Sequence, residues 1–291
     1  MANRIMVTGA SGFIGRALVS ALEAKGREVV AMDSADGDIA APETLAGCAG
    51  EDIAHVFHLA GRTFVPDSWD DPQSFCRTNV LGTVNVLEFC RRKRVPLTYV
   101  SAYVYGHPDS LPIGEDSPVR PSNPYALTKR LAEETCEFYA SAHELPVITI
   151  RPFNVYGIGQ AANFLIPAII SQVLTDGEEI IVKDLGPRRD YVYLEDLVTA
   201  LLATLDKPGG YRVYNIGSGV SLSVQEVIDV IQDIAHTRKK VVCDTAVRTN
   251  ELMDVVADIT RAERELGWCP ETSFHAGIEN IIRSEREMRR V

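Results

Sequence analysis

A glycine-rich turn near the amino terminus has the spacing of a dinucleotide-binding site. Residues 8–15 (TGASGFIG) lie between a strand-like run at 5–8 and a helical pattern at 13–25. The first glycine of such a turn permits the tight bend, the second lets the backbone approach a pyrophosphate, and the third allows close packing of helix on strand. Free N–H groups at the helix start attract the phosphates. The sequence therefore predicts cofactor contacts from Gly9, Ser11, Gly12, Phe13, Ile14 and Gly15.

An acidic residue ends the second predicted strand, at residues 28–32. Asp33 lies 18 residues beyond Gly15, where a carboxylate accepts hydrogen bonds from the ribose hydroxyls of the adenosine and repels a 2′-phosphate. The adjacent Ser34 and Ala35 offer no arginine for that phosphate. This favours NAD over NADP. The alternative is that Asp33 merely begins the turn that follows.

A tyrosine and a lysine four residues apart form the second chemical pattern. Tyr125 and Lys129 share one face of the helix predicted after Pro124. A nearby ammonium ion, together with a positive nicotinamide, would stabilise the phenolate and lower the pKa of the tyrosine. Ser101 ends a strand at 97–101, at the sheet edge where such folds bind ligands. Alone the Tyr/Lys spacing indicates a surface pair, but the glycine turn upstream favours an acid/base site.

Strands and helices alternate along the first half of the chain. Strands are predicted at 56–59 and 147–151 and helices at 75–92 and 124–143, in addition to those above. This order is typical of an α/β protein with a Rossmann, doubly wound parallel sheet. We expect an NAD-binding domain over residues 1–157 and a smaller carboxyl-terminal α/β lobe, mainly for substrate, over 158–291. A segment near 190–217 is expected to return to the first domain.

Composition restricts the class of protein. The 291 residues carry a formal net charge of −11, which argues against a nucleic-acid partner. The apolar runs are too short for a membrane span. The amino terminus leads directly into a strand, and the six cysteines have no CxxC or metal-ligand spacing. We therefore expect no signal peptide, no metal and a cytoplasmic enzyme with free thiols.

Motifs along nearly the whole chain resemble those of the NAD-dependent epimerase/dehydratase family, which are extended short-chain dehydrogenases/reductases. In chain order they are residues 9–15 (GASGFIG), 58–61 (HLAG), 101–106 (SAYVYG), 123–129 (NPYALTK), 151–157 (RPFNVYG), 189–192 (RDYV), 215–219 (NIGSG) and 266–270 (LGWCP). The resemblance is specific to the family and much less specific to a substrate.

The resemblance implies roles for individual residues. Tyr125 would be the acid/base, Lys129 would bind the nicotinamide ribose and tune Tyr125, and Ser101 would hydrogen-bond the reacting sugar oxygen. Further cofactor contacts would come from Asp38, Ile39, Leu59, Ala60, Gly61 and Asn79. Asn79 also matches the family's helix asparagine that helps to orient the active site. A nucleotide-diphosphate sugar would be held by Tyr103, Asn154, Asn163, Arg189, Arg248 and Glu251, of which Arg248 could instead be a surface residue and Tyr103 a packing residue.

The resemblance leaves the reaction open between three alternatives. The first is an NAD-dependent 4-epimerase of a UDP- or dTDP-hexose, which suits an enzyme that recycles its own cofactor. The second is a 4-reductase of a nucleotide 4-keto-6-deoxysugar, a branch that residues 65–69 (VPDSW) resemble. The third is a non-catalytic NAD-sensing module, which the intact Tyr/Lys pair disfavours. Dehydration is disfavoured because Ala102 and Tyr103 occupy the places of its extra acid/base pair.

Three further expectations concern packing and assembly. His58 is predicted to be a buried structural histidine, and Trp69 and Trp268 are predicted to pack. Family members commonly form two-fold dimers through the helices that match 75–92 and 124–143. The apolar residues of those helices are more numerous than one sheet face needs, so we expect a homodimer. They are Val80, Val84, Leu87, Leu131 and Phe138.

Overall fold

The computed structural model describes residues 4–207, 209–243 and 252–289. Its strands are β1 (Arg4–Thr8), β2 (Glu28–Met32), β3 (Ile53–His58), β4 (Leu97–Val100), β5 (Val147–Pro152), β6 (Asn154–Tyr156), β7 (Glu179–Val182), β8 (Arg188–Tyr193), β9 (Tyr211–Ile216), β10 (Ser221–Ser223) and β11 (Lys240–Cys243). Its α-helices are α1 (Phe13–Ala24), α2 (Pro42–Ala46), α3 (Val65–Asp70), α4 (Pro72–Cys76), α5 (Gly82–Lys93), α6 (Pro124–His143), α7 (Leu165–Val173), α8 (Leu194–Leu202), α9 (Val224–Ala235), α10 (Thr260–Leu266) and α11 (Phe274–Met288).

A six-stranded parallel sheet forms the centre of the molecule, in the order β2-β1-β3-β4-β5-β9. Successive side chains of a strand point to opposite faces. Accordingly, Ile5 and Val7 of β1 belong to the cluster that includes Leu18 of α1. Met6 belongs instead to the cluster that includes Leu87 of α5 and Cys136 of α6. The sheet is therefore covered by helices on both faces, which confirms the predicted Rossmann class.

The smaller part of the molecule is built from short strands and helices. Strands β10, β8 and β6 form one sheet and β11 and β7 another. Apolar residues of α7, α9 and α11 form a core of their own with β8, including Ile169, Tyr191, Ile231 and Ile281. Among the strands of the described residues that follow β5, β9 is the one that joins the large sheet, and it pairs with β5 over six residues. The assignment of residues 158–291 to substrate binding stays a prediction.

The segment predicted as a helix at 75–92 is helical, but it is not one continuous α-helix. The segment is divided into α4, a π-helical turn at Arg77–Leu81, and α5. A π-turn admits one extra residue and often marks a functional site. The side chain of Asn79, within this turn, bonds to the backbone of Arg62 on both its N–H and its carbonyl.

Of the two tryptophans predicted to pack, one is buried and the other is exposed. Trp268 is buried, and its Nε1 donates to the carbonyl of Asp196 at 2.9 Å. Trp69 was predicted to pack but is 63% exposed on the short helix α3. None of the helices in the described ranges combines the length and the apolar character needed to traverse a lipid bilayer.

Candidate active site

The glycine turn closes tightly on its neighbours. Gly9 has φ of 73°, a left-handed conformation that glycine adopts without strain, and a Cβ there would lie 2.7 Å from the amide nitrogen of Ala60. A Cβ on Gly15 would lie 2.0 Å from the carbonyl oxygen of Gly9. Side chains are thus excluded at both positions. At Gly12 the nearest atom to an added Cβ is the Gly9 carbonyl, at 3.1 Å, so this part of the turn is more open. The turn forms a cradle that fits a dinucleotide pyrophosphate at the start of α1.

A cavity of about 1580 Å³ extends from this turn to the smaller lobe. It lies at the carboxyl edge of the large sheet, where parallel α/β folds bind their ligands. Most of the predicted site residues line it. They are Gly9, Ser11, Gly12, Phe13, Ile14, Gly15, Asp33, Asp38, Ile39, Leu59, Ala60, Gly61, Ser101, Tyr103, Tyr125, Lys129, Asn154, Asn163 and Arg189. Arg248 and Glu251 lie outside the described residues.

Acidic residues occupy the end of the cavity next to β2. Asp33 accepts a hydrogen bond from the N–H of Ala35 at 2.8 Å. Asp38 forms an ion pair with Arg77 at 2.8 Å. The pKa of Asp38 is lowered, first by the N–H of Ala40 and then by the Arg77 guanidinium. Arg77 was not predicted, because the arginine lies in the π-helical turn and approaches Asp38 only in three dimensions.

Ser101, Tyr125 and Lys129 all line this cavity. Ser101 directly follows β4 and is 4% exposed, and its Oγ has no hydrogen-bond partner among the described residues. Asn123 caps α6 by accepting from the N–H of Ala126 at 2.8 Å, which fixes the helix start beside Tyr125. An unpartnered buried hydroxyl is costly in a folded protein. The Ser101 hydroxyl is therefore available to a bound ligand.

Burial determines the direction of two pKa shifts in this trio. It raises the pKa of Tyr125. The lowering expected from Lys129 together with a positively charged nicotinamide stays a prediction. The Lys129 ammonium donates to the carbonyl of Val100 at 2.6 Å and lies 4.4 Å from the centre of the Tyr99 ring. Burial lowers the pKa of Lys129 itself to about 8.

Asn79 lies behind the cavity wall rather than on it. It is 1% exposed, and its Nδ2 donates to Thr128 Oγ1 at 3.0 Å as well as to Arg62. Thr128 in turn donates to the carbonyl of Tyr125 at 2.8 Å. This geometry joins the loop after β3 to the start of α6. It suits the orienting role implied by the family better than direct contact with a cofactor.

The smaller lobe contributes polar groups at the other end. Arg189 Nη1 donates to the carbonyl of Leu252 at 2.6 Å, which holds the arginine against the segment after residue 251. Asn154 Nδ2 donates to the carbonyl of Asp190 at 3.2 Å, and Asn163 is exposed before α7. The Tyr103 hydroxyl donates to the carbonyl of Gly106 at 2.6 Å. The structure therefore brings these side chains to one cavity with Ser101 and Tyr125.

Some cavity residues were missed by the sequence reasoning. Phe64 and Phe164 approach from the two lobes, with ring centres 6.2 Å apart at 72°. The hydroxyl of Tyr191 is buried without a partner in the described part of the chain. Tyr191 lies within a quoted motif, yet no spacing rule assigned its side chain to the cavity. The two phenylalanines belong to loops, whose meeting no local pattern indicates.

His58 is a core residue, as predicted. It is fully buried, with Nδ1 2.7 Å from Thr8 Oγ1 and Nε2 3.0 Å from Thr83 Oγ1. Burial lowers its pKa to about 3, and the neighbouring Lys129 charge adds to this. The ring is therefore neutral at physiological pH and ties β1 and β3 to α5.

Comparison with known proteins gives a consistent result. The model of the NAD-dependent epimerase/dehydratase family matches residues 5–217. A UDP-glucose 4-epimerase of Mycolicibacterium smegmatis is 32% identical, over 96% of this chain and 97% of the relative. A GDP-6-deoxy-D-mannose reductase of Pseudomonas aeruginosa is 31% identical, over 97% of each.

A solved structure extends the comparison to three dimensions. The protein RMD from Pseudomonas aeruginosa, complexed with NADPH, superimposes with a TM-score of 0.90 at 31% identity. The match covers 99% of this chain and 99% of that one. The arrangement of both lobes is thus shared over the whole length.

Proposed function

Because this chain belongs to the NAD-dependent epimerase/dehydratase family, we propose that it is an NAD-dependent 4-epimerase of a UDP- or dTDP-hexose. Membership makes the chain an enzyme, which removes the non-catalytic alternative, and its relatives are nucleotide-sugar epimerases and reductases. The observation that carries the proposal is the buried Ser101 hydroxyl, which has no partner among the described residues and lines the same cavity as Tyr125.

The trio supplies the acid/base part of the reaction. Tyr125 takes the proton from the C4 hydroxyl of the sugar, while Ser101 donates a hydrogen bond to the same oxygen as it becomes a carbonyl. Lys129, held beneath the tyrosine on α6, stabilises the phenolate with its positive charge. NAD, when bound, supplies the acceptance and return of the hydride. Return to the opposite face of the 4-keto sugar gives the epimer.

The two ends of the cavity orient the ligands. Asp33 and the glycine turn would hold the adenosine ribose and the pyrophosphate, and this carboxylate favours NAD over NADP. Arg189 would place a guanidinium against the sugar diphosphate, since planar donors suit phosphate oxygens. Asn154 and Asn163 would complete that side. Arg248 and Glu251 are assigned to it on the family resemblance.

A 4-reductase of a nucleotide 4-keto-6-deoxysugar is the second candidate. It is favoured by the reductase relative at 31% identity. It is also favoured by Val65 and Pro66, which begin the segment resembling that branch and line the cavity. A reductase delivers a hydride once and then exchanges its cofactor, whereas an epimerase retains it.

The two candidates are separated by what the purified protein contains. We expect NAD to remain bound through purification, and UDP-glucose or the corresponding dTDP-sugar to be converted to its C4 epimer without added cofactor. A protein that arrives empty and oxidises added NADH with a 4-keto sugar would be the reductase. Absence of both reactions on UDP-, dTDP- and GDP-sugars would contradict the proposed function.

Assembly and location are proposed on separate observations. Leu81, Leu127, Leu131 and Phe138 are exposed on the π-helical turn and α6, and Phe138 is 60% exposed. Burial of this apolar face against a second copy would give the expected homodimer. Leu87, which was counted toward that face, instead belongs to the core. All six cysteines are free thiols, which suits the proposed cytoplasmic location.

A further inference from the structure

A buried carboxylate continues the catalytic stripe of α6. Tyr125, Lys129 and Glu133 are spaced four residues apart, so they follow one another along one face of the helix. Glu133 is 0% exposed and Lys129 is 5% exposed. A charge at such depth is retained in folded proteins when it is paired and hydrogen-bonded.

Two arginines pair with Glu133. Arg130 of α6, which is partly exposed, lies 3.6 Å from its Oε2, and an equally buried arginine of β5 lies closer. Arg151 Nε donates to Glu133 Oε1 at 2.9 Å, and Nη2 donates to Oε2 at 2.7 Å. Arg151 is 3% exposed, and its Nη1 also donates to the Tyr105 hydroxyl at 2.8 Å. This bidentate geometry fixes the Glu133 carboxylate about one helical turn beyond Lys129.

Several other titratable groups face Lys129 from the surrounding elements. They are Tyr125 and Cys136 on α6, Tyr99 on β4 and His58 on β3. Burial raises the pKa of Cys136 and of Tyr99 well above their usual values and lowers that of His58 to about 3. Cys136, Tyr99 and His58 are therefore neutral near pH 7. Among these neighbours, Glu133 supplies the negative charge that opposes the desolvation of the ammonium.

We propose that Glu133 is a positioning residue that keeps Lys129 in its ammonium form, with Arg151 as the clamp that fixes the carboxylate. The inference rests on the roles proposed for Lys129 and Tyr125. An ammonium is needed both to donate to the ribose hydroxyls of the cofactor and to stabilise the tyrosinate. Loss of the Glu133 charge would leave burial unopposed, so Lys129 would lose its proton at a lower pH.

The test measures binding of NADH rather than turnover. Fluorescence titration of NADH on cofactor-stripped protein, from about pH 6 to about pH 10, gives the pH above which affinity falls. Glu133→Gln should move this midpoint down by about one pH unit, because an opposite charge near the ammonium is lost. Arg151→Gln releases the carboxylate from its clamp and leaves it buried without its two hydrogen bonds, so the midpoint should also fall. A purely structural pair would instead leave the midpoint of both folded variants at the wild-type value.

The double variant Glu133→Gln/Arg151→Gln guards against unfolding, since neither charge is left unpaired. Its midpoint should still fall, by less than in the single glutamate variant, because Glu133 shares the helix face of Lys129. A midpoint that stays at the wild-type value in Glu133→Gln, or in the folded double variant, would overturn the proposal. NADH binding needs no sugar, so this outcome is independent of failure of the proposed 4-epimerase activity.

Discussion

Removal of the Tyr125 hydroxyl is the most direct test of the catalytic trio. Tyr125→Phe keeps the aromatic ring, whose edge-to-face contact with Phe75 has ring centres 6.3 Å apart. It also leaves the bond from Thr128 Oγ1 to the Tyr125 carbonyl. The substitution therefore changes the proton-transfer group and little of the packing. We expect an unfolding midpoint close to that of the wild type.

The expected loss of turnover follows from the step that is removed. Without the phenol, hydride departure from C4 would leave a protonated carbonyl with no base to accept its proton. A positioned general acid/base contributes about 10²–10⁴-fold, which corresponds to about 2.7–5.5 kcal/mol of barrier. Because burial raises the pKa of Tyr125 before any ligand binds, wild-type turnover should increase with pH over the range in which the phenol ionises. This limb should vanish in the variant.

The assay is turnover of whichever nucleotide sugar the wild type accepts, with NAD affinity measured in parallel. NAD affinity should change little, since Lys129 and the glycine turn remain. Tyr139→Phe is a matched control on the same helix, because that hydroxyl bonds to Glu88 at 2.8 Å away from the cavity. Near-normal turnover in Tyr125→Phe would show that another group moves the proton.

Three more outcomes are expected. NADH should bind at least about tenfold more tightly than NADPH in fluorescence titrations, because Asp33 repels the added phosphate; equal affinities would contradict this account of β2. Light scattering at micromolar concentration should give the mass of two chains, and Phe138→Glu should give one; a wild-type mass of one chain would refute the dimer. Gly15→Ala should cost about 2–4 kcal/mol in chemical denaturation and abolish NAD binding, since its Cβ would lie 2.0 Å from the Gly9 carbonyl oxygen. Gly47→Ala is the control and should be nearly neutral, because its added Cβ would lie 4.0 Å from the nearest atom. Similar losses of stability in the two variants would show that crowding at Gly15 is not the cause.

Local patterns were sufficient for the parts of the site that lie on regular elements. The glycine turn and the pair Tyr125 and Lys129 could be found because a strand, a helix start and a four-residue spacing each define a direction in space. Asp33 could be placed because it ends a strand. Each of these inferences depends only on residues that are close together in the sequence.

The remaining features depend on contacts between distant segments. The π-helical turn interrupts a stretch that reads as one helix, and its Asn79 is tied to a loop 17 residues earlier. Arg77 reaches Asp38 across 39 residues. The raised pKa of Tyr125 depends on how deeply the folded chain buries the phenol. The four-residue spacing along the helix does not predict that depth. Trp69 likewise shows that an aromatic residue can lie outside the core.

The position of β9 has a consequence for how the protein can be made. Residues up to 157 contain the glycine turn and the catalytic trio, yet the strand beside β5 is supplied from residues 211–216. During synthesis, the backbone groups of β5 that face β9 lack hydrogen-bond partners until about three-quarters of the chain has been made. All six residues of β5 are buried in the finished protein, so a fragment that ends at 157 would present an apolar, hydrogen-bonding edge to other chains. Residues 1–157, the proposed cofactor-binding part, thus depend on a later segment to complete their sheet, and expression of them alone should yield aggregates.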